Sequence, residues 1–146
     1  MRFRATVTVA AAAVGAALLT AAPAHASSYD HKDPYKSGCG NSAYPVRTAA
    51  MKFNGTKVGK IQLMWSPRCR TNWTEIRVPS GQSGTIWVET KKKRDTFHYK
   101  AGNGGRHWGD MLTANGVCAW GSAAGNGKNS GDSSNGKTTR ACGRAG

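Results

Sequence analysis

Residues 58–78 read VGKIQLMWSPRCRTNWTEIRV. Ile61, Leu63 and Trp65 recur at every second position with Lys60 and Gln62 among them, the period of a strand that buries one face. Ser66-Pro67 stops that strand, because proline cannot donate to a ladder. TNWTEIRV then starts a second strand, which sets Ile76 and Val78 on one face and Trp73 on the other.

The flanking segments repeat the pattern. TAAMKF runs into Asn54-Gly55, a turn signal. PSGQSG is a further turn, and TIWVET and DTFHYK are strands joined by the basic tip KKKR, Lys91 to Arg94. DMLTA and VCAWG flank Asn115-Gly116, which signals a two-residue hairpin. No run of helical period longer than about two turns stands out. About six or seven short strands at this spacing predict an all-β fold, a small antiparallel barrel or sandwich. The expected organisation is a polar arm over 27–38, a β domain over 39–120 and a Gly/Ser/Asn-rich tail over 121–146.

The chain opens MRFRATVTVAAAAVGAALLTAAPAHASS. Arg2 and Arg4, the apolar stretch that follows and Ala24-His25-Ala26 have the three parts of a secretory signal peptide cut after Ala26. The apolar stretch is short for a membrane span and no later one replaces it. The expectation is a secreted, extracellular protein with no membrane span. Its four cysteines, Cys39, Cys69, Cys118 and Cys142, then imply disulfides, for which three pairings exist. Sequential pairing, Cys39–Cys69 and Cys118–Cys142, closes two separate loops of modest length and is preferred. Zinc is disfavoured because the paired C-x-x-C knuckles of structural sites are absent.

GDSSNGKT, residues 131–138, matches the phosphate-loop pattern G-x-x-x-x-G-K-[ST]. A working phosphate loop follows a buried strand and opens a helix. GSAAGNGKNS before it contains no apolar strand, and too few residues follow for a helix. Nucleotide binding is therefore rejected, and calcium with it, since Asp132 is a lone carboxylate among lysines. The segment reads as a flexible loop fastened by the disulfide of Cys142. No cofactor and no metal are expected.

The run S-P-x-C-x-T-N-W from Ser66 to Trp73, the start D-x-x-D-P-x-x-x-G-C from Asp30 to Cys39, and HWGDMLTANGVCAW carry a resemblance. Together they resemble the YjfA-like family of exported Gram-positive proteins, domain of unknown function 2690, over roughly Tyr29 to Trp120. The resemblance implies an exported β domain with a Cys39–Cys69 bridge and no established activity. Here Met64-Trp65 stands where the family usually has arginine and tyrosine, and Thr74-Glu75 where alanine and arginine are common. The tail with Cys142 looks like a local addition.

The formal charge is +14, or two fewer without Arg2 and Arg4. A domain so basic accumulates on polyanions at low salt. The leading reading is a non-catalytic protein that associates with the cell envelope or another extracellular polyanion: wall teichoic acid, an acidic glycan or nucleic acid. Its contacts would be Arg68, Arg70, Lys91, Lys92, Lys93 and Arg94. Trp73, set among polar Asn72, Thr74 and Glu75, would be a stacking surface beside them, while most other tryptophans fill the core. A small secreted ribonuclease or toxin is the first alternative, casting Glu75 or Glu89, His98 or His107, and Arg77 or Arg106 as base, acid and phosphate cation. A protease inhibitor or antagonist presenting the loop Ser66 to Thr71 is the second. No G-x-S-x-G or catalytic cysteine signal is present.

Overall fold

The computed structural model describes residues 29–127 and 133–142. The leader and its cut site fall outside the described residues. Among the described residues ten strands form one sheet: β1 Tyr44–Phe53, β2 Thr56–Ser66, β3 Thr71–Arg77, β4 Ser83–Thr90, β5 Arg94–Tyr99, β6 Arg106–Trp108, β7 Leu112–Thr113, β8 Cys118–Asn126, β9 Ser133–Lys137 and β10 Ala141–Cys142. Their spatial order is β5-β4-β8-β9-β1-β2-β3-β6, with β7 beside β3 and β10 beside β8. Every pairing is antiparallel. The sheet curls into a nearly closed barrel with one seam, between β5 and β6. The all-β class is as expected; the strand number is higher because β6, β9 and β10 are short or polar.

The interior is filled asymmetrically. Met51, Ile61, Ile76, Val78, Ile86 and Tyr99 pack against Ala123, and Leu63, Val88, Leu112 and Ala114 pack against Ala119. Bulk thus comes from β1 to β5 and, at Leu112, from β7, while β8 and β9 turn small residues inward. A Cβ at Gly121 would lie 2.4 Å from Thr74 Oγ1, and one at Gly136 would lie 2.6 Å from Met51 Sδ. Close packing leaves no room for a side chain there.

That requirement corrects the reading of the tail. Ser133–Lys137 is no loop: it pairs along β8 from Ser122–Lys137 to Asn126–Ser133, and touches β1 at Lys52–Asn135. Its Ser134 and Gly136 are what the crowded interior demands. The same pairing removes the phosphate-loop reading for Ser133 to Thr138, because the ladder occupies the backbone and Thr138 Oγ1 accepts from the Gly121 amide at 3.0 Å. Gly131 and Asp132 lie outside the described residues.

Two Asn-Gly pairs behave differently. Asn54 and Gly55 both have positive φ, 45° and 80°, the type I′ turn whose twist suits a hairpin, and β1 and β2 pair across it. At Asn115-Gly116 only Gly116 is left-handed, at 69°, the pattern of a type II turn. The turn forms, closed by the Val117 amide on the Ala114 carbonyl, but its arms part. β7 goes to β3 and β8 to β4, so the expected hairpin is absent.

β3 is buried on both faces. Ile76 faces the core, and the outer side is covered by the segment Tyr29–Ala43. There Trp73, fully buried, packs with Cys39, Cys69 and Met111, and with Tyr35, Met64 and Trp108 at the edge. Both expected disulfides are present, Cys39–Cys69 beneath this cover and Cys118–Cys142 between β8 and β10.

Candidate functional site

One pole of the barrel collects the end of β2, the starts of β1 and β3, the β4–β5 tip and the β8–β10 disulfide. Two grooves open on it. The first, about 480 Å³, is lined by Tyr44, Arg47, Trp65, Arg70, Asn72 and Asn115, with Cys142 at its side. The second, about 590 Å³, is lined by Lys91, Lys92, Lys93, Val117, Trp120 and Arg140, with Cys118 at its side. Asn115 belongs to both, and the Cys118–Cys142 bridge stands between them. Among the described residues six cations line these grooves, and no carboxylate does.

Local structure explains each position. Residues 67–70 form a tight turn in which the Arg70 amide donates to the Ser66 carbonyl at 2.7 Å and Arg70 takes φ 56°. That conformation aims Arg70 away from the core-facing strands. Thr90 closes the lysine tip: its amide donates to the Lys93 carbonyl at 2.8 Å and its Oγ1 accepts from the Lys93 amide at 2.9 Å. On the far wall the Trp120 indole donates to Glu89 Oε2 at 2.9 Å, and the Arg140 guanidinium lies 4.9 Å from the ring centre. Arg47 donates to the Arg140 and Val46 carbonyls at 3.1 and 2.7 Å, which ties the first groove to the second.

The sequence-derived contacts divide accordingly. Arg70, Lys91, Lys92 and Lys93 line the grooves. Lys93 is ion-paired with Asp30. Arg94 is spoken for by Glu89, to which its Nε donates at 2.8 Å. Arg68 is exposed on the turn but lines neither groove. Trp73 is corrected outright: wholly enclosed by the arm, it offers no stacking surface. Its polar neighbours suggested exposure, whereas the arm buries that face of β3. Sequence reasoning passed over Tyr44, Arg47, Trp65 and Trp120 as site residues; the signal was there for Trp120, two residues from Cys118 and hence beside the bridge.

Five of the six described carboxylates are already engaged. Asp30 receives the Thr113 amide at 2.6 Å as well as Lys93; Asp33 receives the Tyr35 and Lys36 amides and the Trp108 indole. His31 Nδ1 meets Asp95 Oδ2 at 2.5 Å. Burial opposes ionisation of Asp30, Asp33, Glu75 and Glu89, but their donors outweigh it and hold all four below the usual carboxylate range. They remain ionised and internally matched.

Of the residues cast for catalysis, Glu75 and Arg106 meet, and neither is joined to a histidine by a hydrogen bond. Glu75 receives Arg106 Nε at 2.7 Å and Arg106 Nη2 at 3.0 Å, and Tyr35 donates to it at 2.6 Å. Burial and the Glu75 carboxylate push the Tyr35 phenol up to about 12. This is a locked structural network with no free base. His107 points inward, stacked on Tyr99 with ring centres 4.4 Å apart, and burial holds it below the ordinary histidine value. His98 points to the other face and meets Thr85 Oγ1 at 3.0 Å. Both border the seam groove, about 350 Å³, yet alternation along β5 turns His98 away from Tyr99, the buried ring on which His107 of β6 stacks. The loop Ser66 to Thr71 is a tight turn, closed by the Arg70 amide on the Ser66 carbonyl at 2.7 Å.

Fold and pole together define a disulfide-stapled antiparallel β-barrel with a cationic, aromatic-walled end. The chain belongs to the family described as "Protein of unknown function (DUF2690)", matched over residues 27–137. That match reaches the last residue of β9, so the strand first read as a loop lies within the family's domain. No curated protein and no solved structure matches the chain.

Proposed function

We propose that this is an exported, non-catalytic protein of the YjfA-like kind, which associates with extracellular polyanions through the grooved pole. The observation that carries the reading is the lining of the two grooves: Arg47, Arg70, Lys91, Lys92, Lys93 and Arg140, with no carboxylate among them. Lys93 is paired with Asp30, and the like charge of the other five costs self-repulsion, which a bound anion relieves. The tripartite leader and two disulfides suit an oxidising, extracellular setting. A Gram-positive envelope would offer teichoic acid and acidic glycan as partners, and released nucleic acid as a third.

Affinity gained by counterion release falls steeply with salt. Retention of the mature protein on an immobilised polyanion should therefore drop across a salt series, with a log–log slope set by the charges engaged. Salt-independent retention, or none at low salt, removes this reading.

A further inference from the structure

The first groove holds more than a polyanion needs. Polyphosphate asks only for cations, and Arg47 and Arg70 supply them. The groove adds Tyr44, 51% exposed, the half-buried Trp65, and the amides of Asn72 and Asn115. Asn72 is held in place by its own hydrogen bond: Nδ2 donates to the Met64 carbonyl at 2.7 Å, which leaves the carbonyl oxygen as the free end. An exposed aromatic ring offers a face to the C–H side of a sugar. Side-chain amides serve hydroxyls as donor or acceptor, and the arginine fork matches a carboxylate or phosphate.

We propose that the first groove is a subsite for a pyranose unit that bears an anionic group, carboxylate or phosphate, in a longer acidic glycan. The proposal rests on the polyanion reading and narrows it. Arg47 and Arg70 take the anionic group, Tyr44 packs on the ring, and Asn72 and Asn115 take hydroxyls. The chain then continues past Asn115 into the lysine-lined second groove. Single-stranded nucleic acid fits less well, since it needs successive open ring faces for its bases. Trp65 packs with Leu63 in the core, and the Trp120 ring has Arg140 lying 4.9 Å from its centre.

The test is titration calorimetry of the mature protein, at low salt, with five probes: trigalacturonic acid, a phosphodiester-linked hexose trimer, a neutral hexose trimer, polyphosphate and oligo-dT. At least one anionic sugar should bind about tenfold tighter than polyphosphate of equal charge, the scale of one aromatic contact with its hydrogen bonds. Which of the two binds identifies the anionic group. Tyr44→Ala should remove that tenfold, Tyr44→Phe should keep it, and neither should alter polyphosphate binding or the thermal midpoint. Equal binding of sugars and polyphosphate, unmoved by Tyr44→Ala, overturns the subsite and leaves the polyanion reading standing. Tighter, Tyr44-dependent binding of oligo-dT overturns it in favour of nucleic acid. Failure of every anionic probe overturns both readings.

Discussion

Arg106 and Arg140 are each stacked on tryptophan, and they do opposite things. Arg106 lies 5.0 Å from the Tyr35 ring centre and 5.2 Å from that of Trp108, and it grips Glu75 with two nitrogens. Its charge is consumed in fastening the arm over β3. Arg140 lies 4.9 Å from Trp120 and has no carboxylate partner among the described residues. Its charge is offered to the second groove. A cation on an aromatic ring is thus a brace or a contact according to whether a buried carboxylate completes it.

The strapped side should therefore carry stability and the pole should carry binding. The largest effect is expected from Trp73→Ala, which empties the centre of the arm's core and should cost about 3–5 kcal/mol in denaturant unfolding. Polyanion affinity of the fraction still folded should not change. A loss of affinity beyond the loss of fold would restore a direct role for Trp73.

Removing either disulfide comes next. The bridges span 30 and 24 residues, so the chain-entropy cost is alike, about 3–4 kcal/mol each. Their functional consequences should differ. Cys118→Ser with Cys142→Ser should weaken polyanion binding, and Cys39→Ser with Cys69→Ser should only destabilise. Identical binding profiles would dissolve the division between the two sides.

Arg106→Ala should cost about 2 kcal/mol, below the range for a fully buried pair because the Arg106 side chain is 35% exposed. Glu75 sits below its ordinary value of 4.5 when folded, so its contribution is complete above that value and fades as pH falls through the depressed one. Acid unfolding should therefore shift to higher pH in Arg106→Ala. An unchanged acid transition would mean the pair does not hold the arm. Arg140→Ala, by contrast, should change stability by no more than about 1 kcal/mol, the scale of an exposed cation–π contact, while flattening the salt dependence of binding.

Much of this division was out of reach of sequence reading, for physical reasons. The alternation around Ile61, Leu63 and Trp65 is strong because one face of β2 is core, and it reads directly. β3 reads as a strand, but the burial of its outer face does not, since Asn72, Thr74 and Glu75 mimic exposure around Trp73. β9 is illegible because Ser134 and Gly136 are chosen for lack of volume, which in sequence looks like lack of structure. The two Asn-Gly pairs differ only in the φ of asparagine, which tertiary packing decides. The Lys91–Lys93 tip was plain as a charge run; its company with Arg70, Trp120 and Arg140 depends on the barrel closing.

The central claim is that binding belongs to the pole and not to net charge alone. The direct measurement compares two charge-matched triple variants on the same polyanion column across a salt series. One carries Lys91→Ser, Lys92→Ser and Arg140→Ser at the pole; the other carries Lys52→Ser, Lys57→Ser and Lys100→Ser, exposed positions away from it. The pole variant should elute at lower salt with a flattened slope, while the distal variant elutes close to the wild type. Equal losses in the two variants would contradict the account.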